Sequence, residues 1–275
     1  MRDITLGQYF PADSVIHRLD PRVKILSLIV YIVLIFCTFN VFSLAFTAIT
    51  VMAIVLMTKV PIKSYLKSLK VIIVIVIITS ILNLFYGTGV PIFEWWIIKV
   101  TWEGIRNAVF VCVRIICLIL LSSVLTFTTS PTDLTDALER LMKPLKVFHI
   151  KVHEIAMMMT IALRFVPTLL EETDKIMAAQ KARGADMESG NLFTRVKALV
   201  PVLVPLFVSA FRRAYELAVA MECRCYRGGD GRTRMKQLHM VKRDYICIVI
   251  TLLVIACVVL LNIFGFVIYS LIRIK

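Results

Sequence analysis

The feature that most constrains this chain is the length of its apolar blocks. The first covers residues 23–58 and, beyond Lys24 at its start, is broken only by Asn40. A helix of ~20 apolar residues crosses a bilayer, so this block predicts two spans, 23–39 and 41–58, joined by a tight turn. Further blocks lie at 71–86, at 105–128 with Arg114 inside it, and at 245–272, the longest uninterrupted one. The chain therefore reads as an all-α membrane protein with about five transmembrane helices. Its expected organisation is a membrane part at 1–127 with four spans, a charged cytoplasmic region at 128–243, and a terminal span at 244–275.

Composition removes the competing classes. Of the 275 residues 59% are hydrophobic and 18% charged, against about 45–50% and about 25% in soluble domains. A disordered chain lacks such apolar content. Residues 1–22, with Asp3, Asp13 and Asp20, are too polar and acidic for a cleaved targeting signal, so the first block is expected to be retained.

The formal charge of +14 reads mainly as an orientation signal, because short cytoplasmic loops are enriched in Lys and Arg. Arg18, Arg22 and Lys24 precede the first span, and Lys59, Lys63, Lys67 and Lys70 separate the second from the third. Both flanks are expected inside, which makes the N-terminus cytoplasmic. Between the third and fourth blocks, Gly87, Gly89 and Pro91 are followed by Trp95, Trp96 and Trp102, an external loop with an interfacial aromatic belt.

The region 128–243 holds 19 of the 32 cations and 12 acids. Ser130-Pro131-Thr132-Asp133 is a helix start, with a capping hydroxyl, a proline in the first turn and an acid three residues on. Leu134, Ala137, Leu138, Leu141, Met142 and Leu145 then line one face, with Glu139, Arg140 and Lys143 away from it; Pro144 closes or kinks the helix. A second helix is expected over 153–183, bent at Pro167, and a third over 193–226 with Pro201 and Pro205. Their apolar runs, 155–163 and 198–211, are too short and too punctuated for spans and suit helices at the membrane surface. Ala178 with Ala182, and Ala214 with Ala218, are small residues at four-residue spacing that would let the two helices cross closely. Each helix carries an arginine near its end, Arg183 between Ala182 and Gly184, and Arg224 between Cys223 and Cys225. A guanidinium with small neighbours is free to reach a carboxylate or carbonyl on another protein; the plain alternative is a cation complementing a helix C-terminus.

Other residue groups are weaker. His149 and His153 share a helical spacing with Glu154 beside them, which keeps open a membrane-embedded metal enzyme, but the order is not His-Glu-x-x-His. Cys223 and Cys225 are too close for a zinc ribbon, and Cys37, Cys112, Cys117, Cys247 and Cys257 fall within spans as small apolar side chains. Arg114, inside the fourth span, is expected to snorkel or to pair with a residue such as Glu94 or Glu103 rather than to meet a substrate. The +14 charge keeps open a nucleic-acid or anionic-lipid binder, but the cations are spread through loops and alternate with acids, which suits topology better than a phosphate-binding stripe. No phosphate-loop pattern exists, so the chain is not itself an ATPase.

Taken together, Gly7-Gln8-Tyr9, Ser14-Val15-Ile16-His17-Arg18-Leu19-Asp20-Pro21-Arg22, Ser130-Pro131-Thr132-Asp133, Arg164-Phe165-Val166-Pro167, Gln180-Lys181-Ala182-Arg183-Gly184-Ala185 and Glu222-Cys223-Arg224-Cys225-Tyr226-Arg227-Gly228-Gly229 resemble the transmembrane subunit of energy-coupling factor transporters. That family also includes the permease subunit of cobalt and nickel uptake systems. The resemblance implies a non-catalytic subunit of a bacterial cytoplasmic-membrane importer. It implies that 128–243 forms coupling helices, and that Ala182, Arg183, Gly184, Cys223, Arg224 and Cys225 dock two cytoplasmic ATPase subunits. The same resemblance places ATP and Mg on those partners, with no cofactor on this chain. A separate integral membrane subunit would bind the vitamin or metal. The lipid bilayer is the remaining partner, and no nucleic acid is expected.

Overall fold

The computed structural model describes residues 9–85, 91–95, 98–185, 192–229 and 238–273. Gly7, Gln8, Gly87, Thr88, Gly89, Trp96 and Ser189 lie outside them. Among the described residues the regular structure is helical apart from one antiparallel pair of strands, β1 Pro91–Trp95 with β2 Ile98–Thr101, in the stretch expected as a loop. Contacts divide it into two compact units, one of 7–134 with 237–275 and one of 135–236 with residues 1–6.

The first unit contains α1 (Pro21–Phe36), α2 (Val41–Met57), α3 (Ile62–Phe85), α4 (Trp102–Thr128) and α8 (Lys242–Arg273). Asp20 starts α1 by accepting from the Arg22 amide at 2.9 Å, with Pro21 in the first turn. Asn40 divides the first apolar block as expected. It precedes α2, and its own amide bonds the Ser43 hydroxyl at 3.3 Å. Ile35, Val51, Leu121, Val124 and Val258 are buried together where α1, α2, α4 and α8 meet.

Two polar clasps tie α8 to α1 and α2. At one end the Asp20 amide donates to Asp244 Oδ1 at 2.8 Å, the Val241 amide to Asp244 Oδ2 at 2.7 Å, and Arg22 Nη2 to the Leu238 carbonyl at 2.6 Å. At the other, Asn262 Nδ2 donates to the Cys37 carbonyl at 2.8 Å, and Asn40 Nδ2 to the Asn262 carbonyl at 3.1 Å. Gly265 lies against Asn40 so closely that a Cβ would stand 2.1 Å from its Nδ2. Residues 244 to 262 of α8 therefore separate the clasps by roughly 27 Å along the axis, close to the ~30 Å hydrocarbon core. The terminal block, uninterrupted by charge, is punctuated by Asn262 because that amide serves the far clasp.

Two expectations change in this unit, and a third concerns helices of both units. Lys63, Lys67 and Lys70 do not lie in a loop: they are exposed on the first part of α3, Ile62–Lys70, which bends by 57° into Ile72–Leu84. Their three- and four-residue spacing puts them on one face, while Tyr65 turns inward to bond Thr58 at 2.9 Å. Arg114 is not paired with Glu103, and the side chain of Glu94 lies outside what is described. Arg114 Nη2 donates to the Thr38 carbonyl at 3.0 Å and its guanidinium lies 5.7 Å from the centre of the Phe36 ring. A cation therefore meets the carbonyl end of α1, where the helix dipole is negative.

The third change concerns which helices can span. By length and apolar content, α4, the stretch Val152–Ala182, the stretch Val196–Cys223 and the Lys242–Gly265 part of α8 are each able to cross a membrane, and the bent α3 makes five. α1 and α2, at 16 and 17 residues, are shorter than the ~20 of a full span. The runs 155–163 and 198–211 lie in helices of about the expected extent, with Pro167, Pro201 and Pro205 inside them, but those helices are long and apolar enough to cross a membrane.

The second unit holds most of α5 (Pro131–Met142), a 3-10 turn at Lys143–Phe148 that contains Pro144, α6 (Val152–Ala182) and α7 (Leu192–Cys223). The start of α5 is as expected: Ser130 Oγ accepts from the Asp133 amide at 3.1 Å and donates to its carboxylate at 2.7 Å. Glu139, expected on the polar face, instead meets His153 Nδ1 at 3.1 Å and so joins α5 to α6.

Candidate functional site

Both long helices of the second unit end in the same closure. In α6, Ala182 is the last helical residue, Arg183 is the C-cap, and Gly184 takes φ +85°. The Gly184 amide donates to the Lys181 carbonyl and the Ala185 amide to the Gln180 carbonyl, each at 3.0 Å. In α7, Cys223 is last, Arg224 follows, and Cys225 takes φ +54°. The Cys225 amide donates to the Glu222 carbonyl at 2.8 Å and the Tyr226 amide to the Met221 carbonyl at 3.0 Å. This pair of crossed bonds is the Schellman closure, which needs a left-handed residue directly after the cap.

Arg183 and Arg224 therefore hold equivalent positions, each one residue before a left-handed turn. Both side chains are exposed, as are Ala182, Gly184, Cys223 and Cys225, and neither arginine has an ion-pair partner among the described residues. Nothing adjacent obstructs them. Cys225 could be read as a small replacement for glycine. The structure adds that it occupies a backbone region that costs an L-residue about 1–2 kcal/mol.

The two ends are held apart by the pairing of α6 with α7. Arg213 Nη2 donates to Glu172 Oε2 at 2.7 Å, the Ser209 hydroxyl bonds Glu172 Oε1, and Gln180 Nε2 donates to the Pro201 carbonyl at 3.4 Å. Contacts that pair 172 with 209 and 180 with 201 make the helices antiparallel. In that register Arg183 lies level with about residue 198 of α7, which leaves Arg224 roughly 40 Å away along the axis. The alanines expected to let the helices cross do not do so: Ala178, Ala182, Ala214 and Ala218 are exposed. Glu172, Ser209 and Arg213 make the contact instead. Complementary residues on two different helices leave no periodic trace in a sequence.

The histidine group does not converge. His149 ends the 3-10 turn at φ +60°, His153 is engaged by Glu139, and Glu154 pairs with Lys151 at 3.3 Å. Among the described residues no three His, Cys, Asp or Glu side chains gather as metal ligands.

The chain has close relatives. A profile of the family described as cobalt transport protein, CbiQ, matches residues 12–236. A protein of Clostridium kluyveri named energy-coupling factor transporter transmembrane protein EcfT is 51% identical over 264 residues, 95% of this chain and 97% of the relative. Proteins of the same name from Ruminiclostridium cellulolyticum and Lactococcus lactis are 50% and 42% identical over 95% and 90% of this chain, covering 98% and 94% of their own lengths.

Proposed function

Because this chain belongs to the family of energy-coupling factor transporter transmembrane proteins, we propose that it is the subunit through which two cytoplasmic ATPase subunits drive a separate substrate-binding membrane subunit. Arg183 and Arg224 each enter a site on one ATPase subunit. ATP and Mg belong to those partners, and this chain performs no chemistry. Closure of the ATPase pair displaces the ends of α6 and α7, and the displacement reorients the substrate-binding subunit so that a vitamin or other micronutrient is released inside a bacterial cell. The N-terminus is cytoplasmic, on the side of Arg18 and Lys63.

The observation that carries this reading is the equivalence of the two arginines, exposed at matching caps of two helices. Two identical presentations far apart suit two copies of similar receptors. Their guanidinium forks are matched to carboxylates or carbonyls. The antiparallel pair, locked by Glu172 with Ser209 and Arg213, can move as one body. α7 also exposes Leu203, Val204, Phe207 and Phe211, a surface suited to lipid or to another membrane subunit.

The test is replacement of both Arg183 and Arg224 by Ala in the complete transporter. Loss of ATPase co-purification, or hydrolysis no longer linked to uptake, is the expected result; normal assembly and uptake would remove the proposal.

A further inference from the structure

A cavity of about 190 Å³ opens in the first unit beside α1, α4 and α8. Tyr31, Leu121 and Val124 form its buried floor, and exposed Met57, Ile246 and Ile250 its rim. Its lining is mostly apolar, a surface suited to a hydrocarbon guest. The charged residues lining it, Lys24 and Arg243, are both cations. Lys24 is fixed: its Nζ donates to the Thr128 carbonyl at 2.8 Å, the His17 carbonyl at 3.2 Å and Thr129 Oγ1 at 3.4 Å. Arg243 is exposed and has no ion-pair partner among the described residues. It stands beside Asp244, at the level of the first clasp, while the apolar lining continues along α8 to Thr251. That is roughly 12 Å further into the span. An anion-attracting border above a mostly apolar slot has the layout of one phospholipid chain beneath its phosphate.

We infer that this cavity binds one acyl chain of an anionic phospholipid, with Arg243 on the phosphate. The site is independent of the arginines at the ends of α6 and α7. The buried carboxylate of Asp244 is turned to the Asp20 and Val241 amides.

The test uses the full chain in nanodiscs of phosphatidylcholine containing about one-tenth phosphatidylglycerol, with either lipid carrying a photoreactive group on its acyl chain. Cross-links are mapped by mass spectrometry. Phosphatidylglycerol should label residues within 15–31, 121–128 and 246–251 about fivefold more than phosphatidylcholine at equal mole fraction, as one cation near the surface predicts. Arg243→Gln should abolish the preference without lowering phosphatidylcholine labelling. Ile250→Trp, at the exposed rim, should reduce labelling by both lipids. Equal labelling by the two lipids, or labelling spread over the exposed faces of α3 and α7, would overturn the inference.

Discussion

The main-chain amide of Asp20 donates to the carboxylate of Asp244 over 2.8 Å, joining residues 224 positions apart. Asp244 is 2% exposed and also accepts the Val241 amide. One side chain thus satisfies orphan donors at the start of two helices, a demand every helix N-terminus makes. The terminal helix is held to the first helix at the border of the span.

Removing that carboxylate strands the buried Asp20 amide and the part-buried Val241 amide. Asp244→Ala should lower unfolding stability in micelles by about 2–4 kcal/mol, and Asp244→Asn, which keeps one acceptor oxygen, by about 1–2 kcal/mol. Denaturant titration followed by circular dichroism measures both. A wild-type midpoint for Asp244→Ala would show that the clasp does not hold α8.

Arg114 separates two accounts by sign. If an intramembrane cation were merely tolerated, Arg114→Met would be neutral or stabilising. Because its guanidinium serves the Thr38 carbonyl and the Phe36 ring, the substitution should instead destabilise by about 1–2 kcal/mol. The same titration decides between them.

The segment before α1 should loosen in acid. His17 Nε2 lies 3.0 Å from the Phe10 carbonyl and Nδ1 2.7 Å from Ser14 Oγ, and the Phe10 amide donates to the Phe127 carbonyl at 3.0 Å. Burial, aided by the charge of Lys24 and opposed by the Phe10 carbonyl, lowers the imidazole below its ordinary 6.5. The folded state thus favours the neutral ring. Its contribution is complete above the unfolded value near 6.5 and is lost as pH falls through the lowered folded value. Hydrogen exchange at Phe10, corrected for intrinsic rates, should lose protection as pH falls below the ordinary histidine value of 6.5 in the wild type and show no such step in His17→Gln.

Orientation is tested by labelling. With the native cysteines replaced, a cysteine at Thr88 should react with a membrane-impermeant thiol reagent applied outside, and one at Ser189 should not. The reverse pattern would place Lys63, Lys67 and Lys70 outside and invert the arrangement.

What was legible in the sequence was what acts locally. Asn40 divided the first block because a polar residue capable of capping stood between two apolar runs. Ser130-Pro131-Thr132-Asp133 declared a helix start by chemistry within four residues. Asp244, Asn262 and Glu172 were invisible as functional positions because their partners are Asp20, Asn40 and Arg213, on other helices. The identity of the two arginine positions was half legible. Gly184 announces a left-handed residue after a helix, whereas Cys225 gives no such signal and only the backbone shows that it plays glycine's part. Pro167, Pro201 and Pro205 sit inside helices as expected; what the short apolar runs beside them did not show is that α6 and α7 are long and apolar enough to cross a membrane.

The two caps make opposite predictions for exchange of the left-handed residue. Gly184→Ala introduces a Cβ at φ +85° with nothing within 4 Å to strike it, so the cost is conformational, about 1 kcal/mol. Cys225→Gly removes the same kind of penalty, offset in part by the greater freedom glycine gives the unfolded chain, and should stabilise the end of α7 by up to about 1 kcal/mol. Amide exchange at Cys223 and Tyr226 reads the effect locally, where a global unfolding curve would dilute it. Both variants retain their arginine and should still co-purify with the ATPase subunits. If Cys225→Gly loosens the end of α7, the left-handed assignment is wrong; if it holds that end but loses the ATPase, the cysteine side chain itself belongs to the docking surface.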